Sequence, residues 1–150
     1  MIRGERREEA AEVLERLQRR VAGKGEVREI RAIPAREARH AAEPPPLDER
    51  ILHYLEERGT WPLYRHQGEA IERVLEGEHV VVASSTASGK TWCYNLPVLD
   101  AVLRGDNAYA LYLFPTKALA QDQYRALTRL IDGLGIRVEA GIYDGDTEPE

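Results

Sequence analysis

Apolar residues recur at helical spacing in the first stretch of the chain. Ala10, Val13, Leu14, Leu17 and Val21 fall on one stripe, which predicts an amphipathic helix over residues 5–21. Glu12 with Arg16 and Glu15 with Arg19 stand four apart and support it. Gly23-Lys24-Gly25 stops it. Residues 27–33 read as extended and end at Pro34, residues 35–43 show no clear period, and Pro44-Pro45-Pro46 forms a stiff spacer. The prolines mark a boundary between an N-terminal extension, residues 1–46, and residues 47–150.

Beyond the prolines the pattern sharpens. Asp48 caps a helix that carries Ile51, Leu52 and Leu55 and ends at Gly59. Residues 63–76 predict a second helix, with Ala70, Ile71, Val74 and Leu75 inward and Gly77 as its stop. Val80-Val81-Val82-Ala83 reads as a short buried strand, followed by a helix over 89–103 that Pro97 kinks. Residues 109–114 form the next strand, without alternation, as expected when both faces are covered. A long helix over 117–131 and a third strand over 138–143 complete the order strand–helix–strand–helix–strand. That order predicts an α/β fold with a parallel sheet and right-handed crossovers.

At 150 residues the chain is long enough for one domain with a core of its own. Hydrophobic residues at 43% and charged residues at 31% are ordinary for a soluble protein. No apolar run is long enough to span a membrane. The charged start Met1-Ile2-Arg3-Gly4-Glu5-Arg6 lacks the apolar core of a signal peptide. The single cysteine, Cys93, excludes an intrachain disulfide and a zinc site built on several cysteines. Trp92, Tyr94 and Leu96 around it predict a buried helical position, and a cytoplasmic location fits all of this. A net charge of −5 argues against a broad basic surface for nucleic acid, but not against a local groove.

The densest chemistry lies in Ser84-Ser85-Thr86-Ala87-Ser88-Gly89-Lys90-Thr91, directly after the first strand. A strand feeding a tight loop that opens a helix holds nucleoside triphosphates on backbone N–H groups and on the positive helix end. Lys90 would reach the outer phosphates and the Thr91 hydroxyl would help hold Mg²⁺. The usual pattern begins with Gly, where Ser84 stands here; the alternative is a helix entry whose Ser and Gly serve turn geometry alone. Upstream, Gln67 has the donor and acceptor to bond an adenine edge, and Tyr64 or Arg65 could stack on the base. His66 is expected to face solvent or to cap locally. Pro115, Thr116 and Lys117 open a helix at the carboxyl end of the second strand, where ligands bind in such sheets. They hold nucleic-acid phosphates or form an ordinary turn.

Four segments together resemble the first motor domain of superfamily 2 DEAD/DEAH-box-type DNA helicases. Within these the chain is most similar to the RecQ-related branch of Hrq1- and MrfA-type helicases that carry a DUF1998 region. The resemblance rests on Leu63-Tyr64-Arg65-His66-Gln67-Gly68-Glu69-Ala70-Ile71, on Ser85 to Leu99 through Gly89-Lys90-Thr91, on Leu111-Tyr112-Leu113-Phe114-Pro115-Thr116-Lys117-Ala118-Leu119-Ala120-Gln121-Asp122-Gln123, and on Tyr143-Asp144-Gly145-Asp146-Thr147. It covers roughly residues 47–147, and Ile33-Pro34-Ala35-Arg36-Glu37-Ala38 is similar to the stretch preceding the motor.

The resemblance implies an incomplete RecA-like P-loop NTPase domain, a parallel sheet flanked by helices, preceded by a mostly helical N-terminal extension. It implies ATP and Mg²⁺ as cofactors, held by Tyr64, Arg65, Gln67, Thr86, Ala87, Ser88, Gly89, Lys90 and Thr91. Lys90 and Thr91 would be catalytic, with Thr91 on the metal. Pro115, Thr116, Lys117, Gln121 and Gly145 would contact single-stranded or forked DNA. A second RecA-like domain is the implied partner, with no membrane. No Asp-Glu-x-His or Asp-Glu-x-Asp follows Gln123, although such carboxylates complete metal coordination and orient water in this family. The parent activity expected is ATP-driven DNA unwinding or translocation in DNA repair, which these 150 residues alone would not perform. A truncated, non-catalytic binding module is the alternative. A P-loop kinase or GTPase would give no role to Gln67 or to residues 115–123.

Overall fold

The computed structural model describes residues 5–22, 25, 29, 31, 37–105, 108–145 and 147, with side chains from residue 12 onward. The expected stop at Gly23 and Lys24, the stretch Ile33-Pro34-Ala35-Arg36, Asp146 and most of the extended run over 27–33 lie outside the described residues. The chain divides into two compact units, Met1–Glu37 and Ala38–Glu150.

The first unit carries α1, Glu5–Val21, at the limits its periodicity predicts. Glu15 and Arg19 form the expected pair at 3.2 Å. Of the apolar stripe, Val13, Leu14 and Leu17 are exposed.

The second unit is built on four helices: α2 (Glu49–Glu57), α3 (Arg65–Leu75), α4 (Lys90–Leu103) and α5 (Lys117–Leu134). Asp48 caps α2, its carboxylate accepting from the Arg50 amide at 3.0 Å. Thr116 caps α5 by accepting from the Leu119 amide at 3.3 Å. α4 runs unbroken through Pro97 as a single helix. α5 continues one turn past the expected Ile131, to Leu134, where Gly135 takes the left-handed conformation at φ 65°. Ile51, Tyr54 and Leu55 of α2, Ile71 of α3, Leu96 and Leu99 of α4, and Leu130 and Ile131 of α5 close one core with Leu47 and Leu63. Each such aliphatic side chain contributes about 1.5–3 kcal/mol of burial. Val74, expected inward, is exposed on α3.

The sheet differs from expectation. Among the described residues no strand ladder forms along 80–83, 109–114 or 138–143. No backbone hydrogen bond joins any two of these runs. Val81 (94% exposed), Tyr109 (91%), Leu111 (85%), Leu113 (84%) and Tyr143 (89%) face outward rather than into a second layer. A strand saturates its backbone only against a neighbour about 4.7–4.9 Å away, and these runs lack one. Residues 108–117 and 138–145 instead border a cavity of about 670 Å³ with α4 and α5.

A buried polar clasp fixes the entry to α2. Asp100, 1% exposed on α4, accepts from the Asp48 amide at 2.6 Å and from Arg104 Nε at 2.6 Å. Arg104 also donates to the Pro46 carbonyl at 2.6 Å, and Arg50 donates to the Leu103 carbonyl at 3.1 Å. The lead-in segment is thereby fastened to the C-terminal end of α4.

Candidate nucleotide and nucleic-acid site

Residues 84–89 turn the chain from the apolar run 80–83 into α4. The turn requires left-handed backbone at Ala87 (φ 58°) and at Gly89 (φ 72°). Gly89 meets this requirement without strain and is the N-cap of α4, with no side chain occupying the cap. The Trp92 amide donates to the Gly89 carbonyl at 3.1 Å, and the Lys90 and Thr91 amides ahead of it are left for an outside acceptor, the arrangement that binds phosphate.

Lys90 curls back over the loop. Its ammonium donates to the carbonyls of Ser84 at 3.0 Å and Ser85 at 2.7 Å. It also donates to the hydroxyls of Ser84 and Ser88, both at 3.3 Å. Those hydroxyls bond each other at 2.6 Å. Ser84, where the usual pattern has Gly, is thus a partner within the loop. Thr91 follows in the first turn of α4 and is half-buried, while Thr86 and Ala87 are exposed at the loop tip. A threonine hydroxyl at the start of such a helix would suit Mg²⁺, which takes few protein ligands and draws the rest from phosphate and water. Among the described residues no group of three or more His, Cys, Asp or Glu gathers to hold a metal.

α3 packs against α4, bringing Gln67 to the loop. Gln67 is buried, and its amide nitrogen donates to the carbonyls of Ser88 at 3.2 Å and Gly89 at 3.0 Å. Its amide oxygen accepts from the Tyr64 backbone at 2.9 Å. His66 Nε2 lies 3.1 Å from the Ser88 carbonyl. A carbonyl only accepts, so this nitrogen carries the proton. His66 is thus a brace of the loop rather than a solvent-facing residue, and the contact spans 22 positions of sequence that local pattern cannot read. Tyr64 lies against His40 and His66, and Arg65 pairs with Glu69 at 2.6 Å.

The second set of residues lies at the start of α5. Pro115 and Thr116 are exposed, as is Gln121 one turn further on. Lys117 Nζ comes close to Gly145: a Cβ built on Gly145 would sit 3.8 Å from it. Asp144 and Thr147 close a turn there, with the Thr147 amide donating to the Asp144 carbonyl at 3.0 Å. The Asp144 amide donates to the Thr147 hydroxyl at 2.9 Å. Gln123 accepts from the Tyr94 hydroxyl at 2.9 Å and so ties α5 to the helix that opens at the phosphate loop. Tyr112 packs edge-on to Tyr94 with ring centres 5.8 Å apart. Burial, together with the neighbouring Tyr94, pushes the Tyr112 phenol up to about 12. Burial also raises the Cys93 thiol, which agrees with the packed position predicted for it.

Comparison with known proteins gives a consistent picture. The profile of the DEAD/DEAH box helicase family matches residues 64–150. An uncharacterized ATP-dependent helicase, YprA of Bacillus subtilis, is 50% identical over 117 residues, covering 78% of this chain and 16% of that protein. The ATP-dependent helicase hrq1 of Schizosaccharomyces pombe is 36% identical over 126 residues, covering 81% of this chain and 12% of its own length. The crystal structure of the DUF1998 helicase MrfA bound to DNA and AMPPNP superposes with a TM-score of 0.72 at 50% identity, over 78% of this chain and 16% of that one. The likeness implies a RecA-like frame for the helices, whereas the sheet of that frame is not formed among the described residues.

Proposed function

The chain belongs to the DEAD/DEAH box helicase family, and from that premise we propose that it forms the ATP-binding portion of an ATP-dependent DNA helicase. The Gln67 amide carries this reading. It bonds Tyr64 on one side and the Ser88 and Gly89 carbonyls on the other, which supports reading residues 64–67 and the loop 84–89 as one nucleotide site. DNA as the substrate is supported by the likeness to MrfA, whose structure holds DNA. A role in DNA repair and a cytoplasmic location rest on the resemblance of motifs and on the lone, buried Cys93.

In this reading Lys90 leaves its loop carbonyls to meet the outer phosphates, and the α4 amides hold the remaining charge. Thr91 holds the metal, which supplies charge neutralisation when bound. Gln67 keeps the loop in shape and, by releasing the Ser88 and Gly89 carbonyls, frees its amide donors to orient the base. Thr116, Lys117, Gln121 and the Gly145 turn fasten the DNA backbone, with Pro115 setting the entry to α5.

The test uses the full-length protein. Lys90→Ala should lower DNA-stimulated ATP hydrolysis by at least about a hundredfold, and hydrolysis within twofold of the wild type would overturn the reading. The 150-residue polypeptide alone is expected to show no DNA-stimulated hydrolysis, because no Asp-Glu pair follows Gln123. Turnover by that polypeptide, abolished in Lys90→Ala, would contradict this.

A further inference from the structure

We propose that residues 39–41, which precede the proline run, belong to the base-recognition site, with His40 as its positioning residue. The proposal rests on the ATP reading above.

These residues are strapped to the start of α3. The Ala41 amide donates to the Leu63 carbonyl at 2.9 Å and the Arg65 amide to the Arg39 carbonyl at 2.8 Å. The pair makes an isolated antiparallel bridge between His40 and Tyr64. Gly68 permits the approach, since a Cβ there would stand 2.9 Å from that of Ala41. The strap is therefore matched to α3 rather than loosely laid on it.

His40 uses this placement. Its Nδ1 lies 3.0 Å from the Pro62 carbonyl and so must be the donor, which fixes the ring's orientation. The ring lies nearly parallel to Tyr64, centres 5.1 Å apart at 19°. Tyr64 in turn lies nearly parallel to His66, at 5.9 Å and 12°. His66 reaches the Ser88 carbonyl. Three rings thus run in series from the strap to the phosphate loop, beside the amide of Gln67. Tyr64 remains 43% exposed between its two neighbours, so that its open edge is the surface offered to a planar base. His40 sets the plane in which that surface is offered, and touches neither the phosphates nor the loop.

A merely structural role would weaken every ligand alike, so the test separates base from phosphate. In the full-length protein, Mg-ATP and inorganic tripolyphosphate are each titrated against a fluorescent ATP analogue. His40→Ala should weaken ATP about fivefold, the scale of one lost aromatic contact, and leave tripolyphosphate within about twofold. His40→Phe, which keeps a ring, should recover most of the loss. Equal weakening of both probes, unchanged ATP affinity, or no recovery in His40→Phe would overturn the proposal. Should the alanine variant fail to fold, His40→Gln replaces it with the same outcomes, since it keeps a donor for Pro62 and removes the ring. A wild-type protein that binds neither probe would instead overturn the ATP reading itself.

Discussion

Gly89 shows how tightly the loop is specified residue by residue. Its φ of 72° lies where a side chain is strained, and a Cβ there would run into Nε2 of Gln67. Gly89→Ala in the full-length protein should weaken ATP binding at least about tenfold, beyond the roughly 1–2 kcal/mol of backbone strain. Calorimetric titration checks this, and unchanged affinity would show that the Gln67 brace is dispensable. Asp100 makes a second case, in the core. Asp100→Ala takes the acceptor from the Asp48 amide and one of several partners from Arg104, and should cost about 1–2 kcal/mol in urea unfolding. Arg104→Ala should cost more, about 3 kcal/mol, because it leaves the buried Asp100 carboxylate without its counter-charge. Lys90 and Thr91 were legible in the sequence as candidates because their spacing is local, and Gln67 only through the motif it shares, since it meets Ser88 and Gly89 across 21 and 22 positions. His40 and Asp100 were not: His40 meets Pro62 across 22 positions and Asp100 meets Asp48 across 52. No periodicity encodes pairs of that kind.

Among the elements, α2 couples its cap to pH. The Asp48 carboxylate accepts from the Arg50 side chain and amide, which holds it near 2 rather than the ordinary 3.8. Folded Asp48 thus takes up its proton at lower pH than the unfolded chain. Its stabilisation is complete above the unfolded value and is lost as pH falls from about 4 to about 2. Denaturant titrations across that window should fall more gently for Asp48→Asn, and parallel curves would refute the linkage. α5 meets α2 where Gly133 lies under Tyr54, whose ring a Cβ would strike. Gly133→Ala should therefore part the two helices and lower the melting temperature by several degrees, although alanine favours a helix more. The helices were readable because caps and apolar spacing are local signals. The last turn of α5 lies beyond the expected Ile131 because the helix passes through Gly133 and is capped only at Gly135.

At the scale of the whole molecule, helices and sheet part company. The apolar runs 80–83, 109–114 and 138–143 read as strands, the second covered on both faces, yet Val81, Tyr109, Leu111, Leu113 and Tyr143 turn outward. Strand character can be read from composition, but a ladder needs a neighbour, and neighbours are set by topology. Exposed valine, leucine and tyrosine beside unpaired backbone form an adhesive edge. The 150-residue polypeptide should accordingly show a mass that grows with concentration in light scattering, and a sharp monomer with a cooperative melt would refute this. The clasp of Asp100 has one more consequence, best put in terms of load. α4 is a rigid strut roughly 21 Å long, with the phosphate loop at one end and Pro46 moored to the other by Arg104. A pull arriving from ahead of Arg39 first meets the two hydrogen bonds of the strap at α3. The mooring bears what remains, so tension is felt at the rings of His40 and Tyr64 before it can reach the core.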